Sequence, residues 1–230
     1  MTRVNTVFLD IGATLISGPP EPPNKTLARA AGLPPESARA IGRVMMTHEF
    51  SGPGEVAERL AREIPGFPHD SGIIAHLWEA QADSTREIEG ATQAVETMVR
   101  MDARVFLVSN IWVPYYQSFC KTCPRIAGAV SGSILSFRTG SIKPDPAIFR
   151  AAMELARAAP GECVMAGDSY DTDIAPALEL GIRAAWIVHR PDREEAYIKG
   201  IRDGTLPSPD RIVSSIGELP AVLDLLRTEQ

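Results

Sequence analysis

Four short polar segments, each beside the end of an apolar or turn-bounded run, constrain this chain more than any other feature of its sequence. Asp10-Ile-Gly-Ala-Thr14 follows Val7-Phe8-Leu9, and Ser109-Asn110 follows Val105 to Val108. Lys143-Pro-Asp145 stands just before a helix start at Pro146, and Gly167-Asp-Ser-Tyr-Asp-Thr-Asp173 follows Cys163 to Ala166. Short apolar runs bounded by turn residues read as strands buried on both faces. In an open α/β sheet, ligands gather outside the carboxyl ends of the strands, so segments distant in sequence can meet in one crevice.

The rest of the pattern supports that sheet. Val4 to Leu9 reads as the first strand, and the Pro- and Gly-rich stretch from Gly18 to Pro23 ends it. From Asn24 to Glu89 strand signals are scarce, and periodic segments at 26–31, 36–46, 55–63 and 73–87 predict four helices. From Gly90 onward strands (104–108, 127–131, 163–166, 184–188, 211–213) alternate with helices (92–101, 115–121, 146–158, 172–180, 219–227). That alternation predicts an α/β, Rossmann-like three-layer core with a parallel sheet. The expected division is a core of 1–15 and 90–230, with a small all-helical cap domain at 16–89.

Composition narrows the function classes. With 230 residues, 44% hydrophobic and 23% charged, the chain is long enough for one substantial core. A net charge of −6 argues against broad binding to nucleic acid or to an anionic membrane. No apolar run reaches membrane-spanning length, and Asp10 interrupts any secretory-signal layout, so a cytoplasmic location is the expectation. Three cysteines do not make a disulfide scaffold, and Cys120-Lys-Thr-Cys123 lacks the second pair that a zinc site needs.

Each polar segment has a structural role and a chemical one. Asp10 could stabilise a turn; alternatively, a carboxylate held among backbone donors at a strand end can attack an electrophile and form a covalent intermediate, with Thr14 orienting it. Asp168 and Asp173 could cap a helix. If both converge on Asp10, three carboxylates repel one another, and a hard divalent cation such as Mg²⁺ resolves that repulsion. Lys143 would neutralise charge and hold the nucleophile, and Ser109, with neighbouring groups such as Asn110, would donate to phosphoryl oxygens. Trp112, Tyr115 and Tyr116 read as packing, with an entrance lining or a homodimer contact as the alternative.

In this order, the segments resemble the haloacid dehalogenase-like hydrolase superfamily. The resemblance rests on Asp10 after strand one, Ser109-Asn110 after strand two, Lys143-Pro-Asp-Pro-x-Ile-Phe149, and Gly167-Asp-Ser-x-x-x-Asp-Ile174 leading to Ala177-x-x-x-Gly181. It implies a helical cap inserted after the first strand and an aspartyl nucleophile at Asp10. It also implies Mg²⁺ held by Asp10, the backbone carbonyl of Gly12 and Asp168, supported by Asp173, with a small phosphorylated molecule as substrate. The departure is Gly12, where family phosphatases carry an aspartate that shuttles a proton. Three readings follow: a Mg²⁺-dependent phosphatase or phosphotransferase with an acid from elsewhere (cap candidates His48, Glu49, His69, His76), a metal-independent 2-haloacid dehalogenase-like enzyme, or a low-activity phosphate-sensing or partner-binding protein.

Overall fold

In the computed structural model, which describes residues 4–69 and 72–229, the chain begins with β1 (Thr6–Leu9), buried along its whole length. A two-residue strand, β2 (Ile16–Ser17), leads into α1 (Pro23–Ala30), α2 (Ser37–Met46), α3 (Pro53–Glu63) and α4 (Gly72–Gln81). The antiparallel partner of β2, β3 (Arg86–Glu87), brings the chain back. The four helices pack their apolar stripes on one another around Leu27, Ile41, Met45, Val56, Leu60 and Ile74, and Trp112 joins that cluster. The expected helix at 73–87 is shorter than its sequence suggested, because the chain turns after Gln81 to make β3.

The remainder alternates. It runs through α5 (Ala91–Arg100), β4 (Arg104–Ser109), α6 (Val113–Thr122), α7 (Pro124–Ala129), β5 (Gly132–Leu135), α8 (Ser136–Thr139) and α9 (Pro146–Ala156). Then come β6 (Cys163–Gly167), α10 (Ala175–Glu179), β7 (Arg183–Ile187), α11 (Pro191–Arg202), β8 (Arg211–Val213) and α12 (Leu219–Thr228). The strand expected at 127–131 is therefore helix for most of its length. Pro124 sits in the first turn of α7, where its missing N–H costs nothing, and the strand begins only at Gly132.

Six strands form one parallel sheet in the order β5-β4-β1-β6-β7-β8. This is a doubly wound sheet whose order reverses between β1 and β6, so the crevice belongs at the ends of those two strands. Side chains alternate across the sheet as the pleat requires. Val7, Leu9, Val105, Leu107, Val164 and Ala166 face one core cluster, with α5 and α12 residues packed on it. Phe8, Phe106, Val108, Cys163 and Met165 face the other, covered by Ile148, Phe149 and Ala152 of α9. Among the described residues no helix is long and apolar enough to cross a membrane.

Candidate active site

The strand ends at the switch point carry the polar segments into one cluster. Asp10 leaves β1 with its N–H bonded to the Ala166 carbonyl of β6 (3.0 Å), which aligns the two loops. Ala13, at φ 57°, takes the left-handed conformation and closes a tight turn in which the N–H groups of Leu15 and Ile16 both donate to the Ile11 carbonyl. Asp10 is 7% exposed, and its Oδ1 accepts from Ser109 Oγ (3.0 Å) and from Lys143 Nζ (2.6 Å). Among the described residues Asp10 Oδ2 accepts no hydrogen bond, so that oxygen is the one left for a ligand.

Lys143 is buried and bridges two carboxylates, Asp10 and Asp173, at 2.6 Å each. Burial alone would lower its pKa, but the charges of Asp10 and Asp173 outweigh it and the net shift is upward. The ammonium is therefore fixed as a charge, not a proton donor. Asn110 holds the lysine loop: its Nδ2 donates to the Lys143 carbonyl (2.9 Å) and its Oδ1 accepts the Lys143 N–H (2.7 Å). The amide expected to meet substrate phosphate is thus engaged in placing Lys143.

Asp173 folds back under its own turn, accepting the Ser169 N–H on Oδ2 (3.1 Å). Gly167 makes that possible, because a Cβ there would lie 2.5 Å from Asp173 Cγ. Burial, then the Asp10 charge, pushes the Asp173 pKa upward against the pull of Lys143. Asp168 is raised to about 6, first by burial and then by Asp10, with Arg190 opposing. Arg190, three residues beyond the end of β7, forms an ion pair with Asp168 Oδ2. Nothing in the sequence marked Arg190, since an arginine after a strand has no periodic or spacing signature.

Ligand oxygens of Asp10, Asp168 and Asp173 lie within 4.8 Å of one another. Three crowded carboxylates with only Lys143 and Arg190 to balance them are a hard-oxygen donor set still short of one positive charge, which fits Mg²⁺. Thr14 departs from expectation: its hydroxyl is buried and has no hydrogen-bond partner, so Ser109 and Lys143, not Thr14, orient Asp10. At Gly12 a Cβ would lie 4.0 Å from Tyr115 Cε1, and at Gly18 it would lie 2.8 Å from Tyr115 Cζ. The Tyr115 ring therefore leans on the volume beside Gly12. Its phenol is pushed up to about 12, by burial and then by Asp10.

The aromatic run after β4 divides its work. Trp112 meets Trp78 edge-on across the helical block, Tyr116 stacks on Phe119, and Tyr115 lines two clefts beside the cluster. One cleft, ≈ 320 Å³, is apolar, with Met45, Met46, Trp112 and Tyr115 among its walls. None of His48, Glu49, His69 and His76 lines either cleft. His48 packs against Phe50 and is bonded to Arg59, while Glu49 reaches Arg138 of α8 at 3.1 Å, tying the helical block to the core. Burial raises the Cys120 thiol and pushes that of Cys123 up to about 12, so both are protonated and inert.

Together, these elements define an α/β protein whose doubly wound sheet carries a carboxylate–lysine cluster at its switch point, beside a block of four helices. A family model described as HAD-hydrolase-like matches residues 142–219. The rat N-acylneuraminate-9-phosphatase is 27% identical over 147 residues, covering 64% of this chain and 56% of the rat protein. The chain thus spans little more than half the length of that relative. Over these stretches the chain is similar to haloacid dehalogenase-like hydrolases. Its fold matches L-2-haloacid dehalogenase from Xanthobacter autotrophicus with a TM-score of 0.62 at 16% identity, covering 96% of this chain and 98% of the other. It also matches a Bacteroides thetaiotaomicron family enzyme in complex with magnesium and inorganic phosphate, at TM-score 0.58 and 20% identity, covering 80% and 94%.

Proposed function

We propose that this protein is a Mg²⁺-dependent phosphohydrolase of small phosphorylated molecules, with Asp10 as nucleophile and residues 16–89 as the cap that closes over it. The observation that carries this reading is the asymmetry of Asp10: Oδ1 is held by Ser109 and Lys143 while Oδ2 is left for attack. Asp10 Oδ2 attacks phosphorus, the P–O bond to the leaving group breaks, and water then hydrolyses the aspartyl phosphate to regenerate the carboxylate. Lys143 stabilises charge gathering on the phosphoryl oxygens. Asp10, Asp168, Asp173 and the Gly12 carbonyl would hold Mg²⁺, which would neutralise the anionic phosphate beside the carboxylates. The family relatives that bear phosphatase names support the reaction class.

Gly12 supplies no side chain to protonate a leaving alkoxide, and placed acid–base groups contribute roughly 10² to 10⁴ in rate. Leaving groups that need no proton are therefore expected to react fastest. Phosphate release from an aryl phosphate with Mg²⁺, abolished by EDTA and by Asp10→Asn, tests the reading. Absence of release with any divalent metal would overturn it.

One observation favours the dehalogenase reading as a second possibility. Asp168 and Asp173 already have cationic partners, Arg190 and Lys143, so two of the three carboxylates are compensated without a metal. Halide release from a 2-haloacid in the presence of EDTA, measured beside phosphate release, separates the two.

A further inference from the structure

Next to Asp10 lies a second cleft that shares Gly12 and Arg190 with the proposed reaction site. A cleft of ≈ 600 Å³ is lined by Gly12, Thr14, His189, Arg190, Arg193 and Ser214, among others. Among the described residues that lining contains three basic side chains and no carboxylate, in a chain whose net charge is −6. Arg193 is exposed and makes no ion pair among the described residues. Arg193 has Asp192, Glu194 and Glu195 beside it in α11, none of which lines the cleft; Glu218 is committed to the loop after β8, its Oε1 accepting from the N–H groups of Ser214 (2.9 Å) and Ser215 (3.0 Å) and from Ser214 Oγ (2.8 Å).

Thr14 lies beside the same cleft, 1% exposed, with its hydroxyl enclosed and without a hydrogen-bond partner among the described residues. Gly12 fits the same picture. An aspartate there would put a negative charge into the lining; glycine leaves Arg193 facing a lining without a carboxylate.

We propose that this cleft is a subsite for a second anionic group on the substrate, so that the protein takes phosphomonoesters which also carry a carboxylate or a second phosphate. This inference rests on the phosphatase reading above. Arg193 offers a planar fork matched to either anion, and His189 adds a donor. Arg190 links the two sites, since its guanidinium is bonded to Asp168 and also lines the cleft.

The test compares matched pairs with Mg²⁺: glycerol 3-phosphate against 3-phosphoglycerate, and fructose 1-phosphate against fructose 1,6-bisphosphate. In at least one pair the second anion should raise kcat/KM about tenfold or more, mainly through KM, as a charge-assisted bond predicts. The pair that shows it identifies the anion. Arg193→Gln with His189→Gln should erase the preference and leave glycerol 3-phosphate unchanged. No preference in either pair, or one that survives both substitutions, overturns the subsite while aryl phosphate turnover still stands. If no phosphate ester is hydrolysed, the phosphatase reading falls, and calorimetric affinity of the same pairs for the unaltered protein and for the double variant decides the subsite by the same criterion.

Discussion

At position 12 a single missing side chain shapes both chemistry and space. Under the proposed reaction, glycine keeps the backbone carbonyl beside Asp10 but supplies no side chain to carry a proton, and it leaves its side-chain volume next to the Tyr115 ring. A Cβ at 4.0 Å from that ring is an ordinary contact, so Gly12→Asp is sterically admissible. It is expected to raise kcat on alkyl phosphates, by as much as about 10², and to change aryl phosphate turnover little, because only the poor leaving group needs the proton. Steady-state kinetics on both esters checks it; equal effects on the two would show that proton supply is not the deficit. Lys143 gives a harsher prediction. Lys143→Met leaves Asp10 and Asp173 buried without their shared cation, which costs about 3–5 kcal/mol when one partner of a buried pair is lost. Urea denaturation should show that loss, together with loss of activity.

Among the elements, the turn after β6 is the most tightly specified. Gly167 ends that strand where Asp173 folds back, and a methyl group there would strike the carboxylate. Gly167→Ala is expected to cost about 1–3 kcal/mol by overpacking and to weaken Mg²⁺ binding, since Asp173 must move; calorimetric titration and denaturation read the two effects separately. The strands that carry the site were readable from sequence because β1, β4, β6 and β7 are buried on both faces and appear as unbroken apolar runs. Elements without such burial left no signal. The two-residue pair β2–β3 is too short to show alternation, and α11 buries none of its residues fully, so its twelve residues carried no element in the sequence reading. Among site residues, Asp10, Asp168 and Asp173 were visible as polar groups after strands and Lys143 as a lysine before a helix start, and the fold does bring the four together. Arg190 was not, because its significance lies wholly in a contact between β6 and β7 loops. The free hydroxyl of Thr14 and the backbone grip of Asn110 on Lys143 were equally hidden, since hydrogen-bond partners are a tertiary property.

Across the whole molecule, four segments bring Asp10, Lys143, Asp168 with Asp173, and Arg190 together, and that convergence has a thermodynamic signature. Asp168 shifts from 3.8 to about 6 in the folded protein, chiefly by burial. A carboxyl whose folded pKa lies above its unfolded value binds more protons in the native state through that window, so native stability falls as pH rises from about 4 to about 6. Asp168→Asn removes this dependence. In EDTA, the stability of the wild type relative to Asp168→Asn should therefore decline over that pH range, by at most about 3 kcal/mol for a shift of this size, and should level off above it. Urea denaturation at several pH values measures the difference directly; a wild type that gained on the variant between pH 4 and 6 would mean that Arg190, not burial, governs Asp168. Mg²⁺ should reverse the trend in the wild type, because a cation that binds only the native state stabilises it by about 2.7 kcal/mol at a hundredfold excess over Kd. It should do so more strongly at pH 7 than at pH 5, where protons compete for Asp168, and that difference would be lost in the asparagine variant.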